Sequence, residues 1–271
     1  MDKHPEPAKA GHIVCVGVGM TLGAHITPIA RSYIESADIV FCNVSNQYVE
    51  QWVSGMNPTV HSLQHFYQEG KSRTRTYREM VRVMLDAVRD GLRVVGAFYG
   101  HPGVFAWAPH EVIRQARELG YTASMLPGIS AEDCLFADLG IDPGQYGCQQ
   151  LEASQFLLYQ RQLDTAGYVI LWQIGVVGDI SRGKFVTEAR YRALLAEQLG
   201  HLYPKDHPVI LYEAPVLPVD KTRADTLPLS ALANANVHQH TTLVIPPHKT
   251  MQRDETMWAR LVALAQSEDT Q

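Results

Sequence analysis

Cysteine is scarce in this sequence, and its few thiols are not paired. The chain of 271 residues has four cysteines, and no two of them form a CxxC pair. Such pairs are typical of structural zinc sites and of redox motifs, so neither is predicted. We interpret the four cysteines as small buried apolar residues in a reducing compartment.

Long apolar runs and basic clusters are also missing. No run approaches the ~20 apolar residues of a membrane-spanning helix, and the polar start MDKHPEPAKAG has no signal-peptide core. These absences predict a cytoplasmic protein with no membrane partner. The net charge is −5 and the 23 lysines and arginines are dispersed, whereas a nucleic-acid-binding face needs clustered basic residues. No nucleic-acid partner is therefore expected.

Several widespread catalytic motifs do not occur. The sequence has no GxSxG, HExxH or P-loop pattern, which argues against an α/β-hydrolase, a zincin and a P-loop NTPase. His61 and His65 lie four residues apart, but no third ligand accompanies them. We therefore predict no metal site.

What the sequence does contain is a repeated alternation of apolar strands and helical stretches. Predicted strands cover 13–19, 39–43, 59–63, 93–99, 121–126, 168–174, 208–214 and 241–246; predicted helices cover 28–37, 73–89, 109–119, 130–139, 188–199 and 254–265. Such alternation predicts an α/β fold with a mostly parallel, open sheet. Ser130, with Asp133 three residues on, is the predicted N-cap of its helix.

The length predicts two domains rather than one. We expect a disordered tail over 1–10, an N-terminal α/β domain over 11–126, a C-terminal α/β domain over 127–250, and a C-terminal helix and tail over 251–271. Pro127-Gly128 is the predicted hinge. A cleft should lie between the two domains.

Ligands in open sheets bind beyond the carboxyl ends of the strands, where this sequence has three loops: 17–23, 99–105 and 173–178. Gly17, Gly19 and Gly23 form GxGxxxG, but the dinucleotide fingerprint has its third glycine one residue earlier and an acidic residue after the second strand. A tight turn is favoured over nicotinamide or flavin binding. The glycines and the proline of the loop YGHPGVF, 99–105, predict an unusual backbone path that exposes peptide groups to a ligand. The alternative interpretation of this loop is an ordinary turn between a strand and a helix.

The stretch LQHFYQEGKSRTRTY, 63–77, gathers two tyrosines and an arginine where a helix is predicted to begin. Arg73 and Tyr77 are i and i+4 and share a helix face, and Tyr67 lies in the preceding loop. A guanidinium beside phenols should lower their pKa from about 10 and produce a general base. The same arginine could stabilise a developing oxyanion. The alternative is a solvated, basic helix start.

Five segments together resemble the borosin peptide backbone N-methyltransferases, of the tetrapyrrole (corrin/porphyrin) methylase superfamily. They are GKSRxxTY (70–77), YGHPGVF (99–105), MLPGISAEDCLFADLGIDP (125–143), LEASQF (151–156) and LVIPP (243–247). The similarity extends over about residues 11–250. It implies two α/β domains with S-adenosylmethionine between them, and methyl transfer to backbone amide nitrogens of a ribosomally made peptide.

The resemblance also implies a role for individual residues. Arg73, Tyr77 and Tyr99 match the family's catalytic positions, with Tyr67 as a further active-site phenol. Gln64 stands where the family has another tyrosine. The implied cofactor positions are Tyr99, His101, Val104, Ser130, Ala131, Gln173, Ala214, Thr241 and Thr242, the last two from aligning HTTLVIPP with a serine–threonine pair.

The predicted partner is a separate precursor peptide, because the residues after Pro247 are interpreted as one helix and a polar tail with no apolar core peptide. The family further suggests a homodimer that binds two precursors. A fused precursor is the alternative arrangement. Two alternative functions are a methyltransferase acting on a tetrapyrrole or other small molecule, and a non-enzymatic peptide-binding protein.

Overall fold

The N-terminal half of the computed structural model, which describes residues 10–44 and 46–268, is a five-stranded parallel sheet. Its strands are β1 (His12–Gly17), β2 (Ile39–Asn43), β3 (Val60–Ser62), β4 (Arg93–Phe98) and β5 (Thr122–Met125), in the order β3-β2-β4-β1-β5. β1 and β4 are buried almost along their whole length, because helices cover both faces of the sheet. These helices are α1 (Pro28–Ser36), α2 (Gln47–Ser54), α3 (Arg73–Arg89) and α4 (Trp107–Glu118).

The C-terminal half has a second five-stranded sheet, with a different topology. Its strands are β6 (Cys148–Glu152), β7 (Tyr168–Trp172), β8 (Pro208–Glu213), β9 (Arg223–Pro228) and β10 (Thr242–Ile245), in the order β6-β7-β10-β8-β9. Only the β6–β7 pair is parallel; the other three pairs are antiparallel. The expectation of mostly parallel pairing is therefore wrong for this sheet. The polar sequences of β6 and β9, CQQLE and RADTLP, carry no strand signal.

Helices α5 (Ala131–Leu139), α6 (Pro143–Tyr146), α7 (Ala153–Leu158), α8 (Ala189–Gly200) and α9 (Glu255–Glu268) complete the described fold. The 3-10 turns are Gln64–Phe66, Ile174–Val176 and Leu229–Asn234. The predicted boundary at 126/127 falls between the two sheets. The predicted N-terminal tail, apart from residue 10, and the last three residues of the C-terminal tail lie outside the described residues. Within the described residues, none of the helices combines the length and hydropathy required to cross a bilayer.

Two helices of the site, α5 and α3, begin in different ways. The predicted capping box is confirmed, because Asp133 N–H donates to Ser130 Oγ (3.3 Å) and Ser130 N–H donates to Asp133 Oδ2 (2.7 Å). Helix α3 differs, since its N-cap Ser72 makes no side-chain cap bond. Instead the N–H of Arg73 donates to the carbonyl of Arg182 (2.7 Å), which belongs to the C-terminal half. The start of α3 is thus held from across the molecule.

Candidate active site

Three loops of the N-terminal half pack glycine against glycine at the carboxyl ends of β1, β4 and β5. A Cβ placed on Gly17 would lie 2.2 Å from the carbonyl oxygen of Gly100, and one on Gly128 would lie 2.5 Å from the same oxygen. Gly19 and Gly100 form an isolated bridge, in which Gly100 N–H donates to Gly19 O (2.9 Å). The predicted tight turn is confirmed, and what approaches its backbone is the YGHPGVF loop.

A cleft opens beside these loops and between the two halves, with about 680 Å³ of empty space when its solvent-open mouth is included. Eight of the nine predicted cofactor positions line it: Tyr99, His101, Val104, Ser130, Ala131, Gln173, Ala214 and Thr242. The ninth, Thr241, is fully buried behind the wall, where its hydroxyl donates to Glu213 Oε1 (2.5 Å). Gly100 and Phe105 of the predicted loop 99–105 also line the cleft, and the structure adds residues that the sequence reasoning missed, namely Met20, Glu132, Trp172, Tyr212, Glu213 and His240.

Two of the lining residues have an uncommon backbone. Phe105 has φ 50° and Gln173 has φ 62°, in the left-handed region that side chains other than glycine's rarely adopt. Residues held in such conformations concentrate at ligand sites. Within the same loop the N–H of Gly103 donates to His101 Nδ1 (2.9 Å), which fixes the ring of His101. The unusual path predicted for this loop is thus present.

A cluster of aromatic rings surrounds Arg73 at the start of α3. The guanidinium lies 4.9 Å from the ring centre of Tyr67 and 4.6 Å from that of Phe185. Arg73 is only 8% exposed, and among the described residues its Nη1 and Nη2 have no hydrogen-bond partner. Buried guanidinium donors are normally paired, because desolvating them is costly. The predicted solvated helix start is therefore wrong for Arg73, whose free donors are suited to an oxygen of a bound molecule.

The tyrosines form a continuous set around this arginine. The rings of Tyr67 and Tyr77 meet edge to face at 6.3 Å, and Tyr77 stacks on Trp107 at 6.3 Å. Asn43 Nδ2 donates to the hydroxyl of Tyr67 (3.4 Å) and receives its own orientation from Gln64, whose Nε2 donates to Asn43 Oδ1 (2.8 Å). Gln64 thus contributes to the cluster indirectly.

The pKa values of these phenols differ from expectation. Burial raises the pKa of Tyr77 above its usual value, and that of Tyr67 as well. The charge of Arg73 lowers both, but burial outweighs it. The prediction of a depressed tyrosine pKa is therefore wrong for this state of the protein, since a desolvated phenol resists becoming an anion.

Tyr99 joins the aromatic cluster to the cleft. Its side chain lines the cleft, and its N–H donates to Asn43 O (3.1 Å) beneath the cluster. The residue is 46% exposed, yet the surrounding protein atoms and the neighbouring Tyr67 raise its pKa to about 12. The four predicted catalytic residues are thus brought together: Tyr99 lines the cleft, and Tyr67, Arg73 and Tyr77 lie next to it outside the lining.

A cluster of polar side chains surrounds Glu213 at the other wall of the cleft. Its carboxylate accepts from Arg223 Nη1 (2.7 Å) and lies 3.0 Å from His238 Nδ1 and 3.4 Å from His240 Nε2. Burial opposes ionisation, but hydrogen bonds from Thr241, His238 and Arg223 outweigh it and lower the pKa of Glu213. Glu213, His238 and His240 are of metal-ligating types. Arg223 already balances the carboxylate's charge, and the prediction of no metal remains a prediction.

Residues 12–228 match the family model of the Tetrapyrrole (Corrin/Porphyrin) Methylases. The chain belongs to this methylase family. The predicted α/β fold is thereby confirmed: it has two halves, each built on its own sheet, with a cleft between them. The family also agrees with the methyltransferase interpretation at that general level.

Solved structures support the same fold. Uroporphyrin-III-C-methyltransferase from Thermus thermophilus superimposes with a TM-score of 0.62 at 16% identity, covering 88% of this chain and 93% of that one. Diphthine synthase gives a TM-score of 0.60 at 14% identity, covering 89% and 91%. At such low identity the likeness concerns the fold alone.

Curated fungal relatives are closer in sequence. The methyltransferase/ribosomally synthesized cyclic peptide gymnopeptides precursor gymMA1 of Gymnopus fusipes is 41% identical over 263 residues, covering 95% of this chain and 62% of that protein. The omphalotin A precursor protein ophMA of Omphalotus olearius, named in the same form, is 38% identical over 243 residues, covering 88% and 58%. The chain thus spans about three fifths of the length of these relatives, whose names join a methyltransferase and a precursor in one protein.

Proposed function

We propose that this methylase uses S-adenosylmethionine to methylate backbone amide nitrogens of a ribosomally made peptide. The observation that carries the proposal is Arg73, a buried guanidinium whose two terminal nitrogens have no hydrogen-bond partner among the described residues, set among phenols next to the cleft. The names of the fungal relatives support the same substrate class.

The cleft residues suit S-adenosylmethionine, which combines an apolar ring, polar ribose and amino-acid groups, and a sulfonium cation. Met20, Val104 and Trp172 give apolar walls, while the carboxylates of Glu132 and Glu213 can accept hydrogen bonds. When bound, this cofactor supplies an electrophilic methyl group. The eight predicted positions that line the cleft remain our assignment for binding it.

An amide nitrogen is a poor nucleophile because its lone pair is delocalised into the carbonyl. It gains nucleophilicity when its proton leaves and negative charge moves to the carbonyl oxygen. Arg73 has the donors to bind that oxygen, and a charge-assisted bond in a dry site stabilises the anion strongly. The oxygen would accept from Nη1 and Nη2 of Arg73, which have no partner within the described residues.

The proton acceptor in this scheme is the phenolate of Tyr77, assisted by Tyr67. Tyr77 first releases its own phenol proton to solvent; the amide proton then passes to the phenolate oxygen, and the nitrogen is left free to attack. Burial keeps both phenols neutral in the structure as it stands, so positive charge must favour the anion before reaction. Arg73 supplies part of it, and a cation bound in the cleft beside Tyr99 would add to it.

The relative positions of the cofactor and the amide complete the proposed scheme. Tyr99 and the loop 99–105 wall the cleft on the side of the tyrosines, so a reactive group in the cleft faces the amide. Holding two reactants in this geometry supplies much of the rate in bimolecular transfers. We further propose a homodimer and a precursor supplied in trans, each of which is testable by native mass spectrometry.

Intact mass spectrometry of a candidate precursor peptide tests the proposal. After incubation with the protein and S-adenosylmethionine, the peptide should gain mass in methyl-group increments. The protein is measured in the same samples, because a gain on its own chain instead would identify a fused substrate and refute the in-trans arrangement. No gain on either, combined with methylation of a tetrapyrrole, would refute the peptide substrate and favour the small-molecule alternative.

A further inference from the structure

A loop of the C-terminal half lies against the start of α3, and we call residues 179–185 the bridging loop. Gly70 N–H donates to Gly183 O (3.0 Å), and Arg73 N–H donates to Arg182 O (2.7 Å). The fit is close, since a Cβ on Gly183 would lie 3.2 Å from the backbone of Gly70. The loop therefore satisfies the N–H of Arg73, a first-turn donor of α3, whose N-cap Ser72 makes no side-chain bond.

Asp179 holds the bridging loop in shape. Its carboxylate accepts from the N–H groups of Ser181 (3.0 Å), Gly183 (2.8 Å) and Lys184 (2.8 Å). Arg182 adopts φ 54°, a strained conformation for a residue with a side chain. Three convergent bonds to one carboxylate account for the persistence of that strain.

Phe185, at the end of the loop, covers Arg73. Its ring lies 4.6 Å from the guanidinium, on which Tyr67 also lies at 4.9 Å. Its N–H donates to Glu69 Oε2 (3.1 Å), which ties it to the segment before α3. Because Arg73 has no hydrogen bond at Nη1 or Nη2, these two rings are the contacts that orient its charged end within the described residues.

We propose that Phe185 is a positioning residue for this reaction, acting through Arg73, and that the bridging loop is the element that delivers it. The inference rests on the proposed function of Arg73 as the group that binds the amide oxygen. A guanidinium held by ring faces keeps its edge donors free for substrate, whereas a carboxylate partner would occupy them. The geometry thus combines a fixed direction with unpaired donors.

The test compares Phe185→Leu, which keeps apolar volume but has no ring, with Phe185→Tyr, which keeps the ring. Phe185→Leu should lower kcat for peptide methylation by about 3- to 30-fold, the range of a cation–π contact expressed as a rate. Phe185→Tyr should stay within about twofold. Cofactor affinity, measured by calorimetry, should be unchanged in both, since Phe185 does not line the cleft. Ile180→Ala is the matched control, because Ile180 lies in the same loop and is 83% exposed.

A second readout is independent of activity. In the wild type, ring currents from the neighbouring aromatic rings should displace the Nε–Hε NMR signal of Arg73. The signal is assigned by its loss in Arg73→Lys. Phe185→Leu, which removes one ring, should change its chemical shift. Asp179→Ala, which dismantles the loop from another point, should move it as well. An unmoved signal in Phe185→Leu, or an equal fall in kcat for the leucine and tyrosine variants, would overturn the inference. If the wild-type protein methylates no peptide while the signal moves as expected, the proposed function fails and the positioning stands.

Discussion

Replacing Arg73 by methionine should separate activity from stability. Methionine retains apolar volume between the rings of Tyr67 and Phe185 but removes the charge and the donors. If Arg73 binds the developing oxyanion, kcat should fall by about 10²- to 10³-fold, the loss typical of one such donor. The affinity for S-adenosylmethionine should stay the same, because Arg73 does not line the cleft.

The effect of Arg73→Met on the free energy of unfolding follows from the burial of the Arg73 guanidinium. The guanidinium is 8% exposed and its Nη atoms have no partner in the described part of the chain, so its desolvation costs several kcal/mol. Two ring contacts return about 1–4 kcal/mol in total. These contributions nearly cancel, so the free energy of unfolding of Arg73→Met should equal that of the wild type within about 1 kcal/mol or exceed it.

Urea denaturation and single-turnover methylation of a precursor peptide measure the two effects. Arg73→Lys is the matched control, since lysine keeps the charge without the planar fork and should recover little activity. A variant that loses more than about 2 kcal/mol of stability, the range of a structural core residue, while still methylating would show that Arg73 is a packing residue. That result would refute the assigned role.

Other changes test separate parts of the structure. Tyr77→Phe should abolish methyl transfer yet leave cofactor affinity intact, as calorimetry and mass spectrometry can show; retained transfer would exclude Tyr77 as the proton acceptor. Gly17→Ala should weaken cofactor binding and lower the melting temperature, because its Cβ would lie 2.2 Å from Gly100 O, whereas Gly200→Ala has open space around it and should bind normally. Burial raises the pKa of Tyr203 to about 12, above the unfolded value of about 10. Its contribution to stability is therefore complete below pH ~10 and declines as pH rises toward 12. Chemical denaturation at several pH values should show that decline in the wild type and a smaller one in Tyr203→Phe. An equal decline in both proteins would exclude Tyr203 as its cause.

Much of the fold follows from local sequence patterns. The β-branched runs of β1 and β4 and the helical spacing in α3 predict those elements within two residues of their ends, because buried parallel strands and amphipathic helices have strong periodic signals. β6 and β9 were missed because their residues are polar and neither strand is fully buried. Their pairing depends on tertiary contacts that no local pattern encodes.

The site was predictable to a similar degree. Glycine and proline mark the loops that form the cleft, and the spacing of Arg73 and Tyr77 predicts a shared face. Phe185 was missed because it lies more than a hundred residues from Arg73 and comes from a loop without a motif. The sign of the tyrosine pKa shift depends on burial, which the spacing does not reveal.

The position of the transferred methyl group tests the central claim most directly. A precursor peptide is incubated with S-adenosylmethionine and either the wild-type protein or Arg73→Met, then fragmented in the mass spectrometer. We predict methyl groups on backbone nitrogens in the wild-type sample and almost none with the variant. Methyl groups on side chains, or equal backbone methylation by both proteins, would contradict the account.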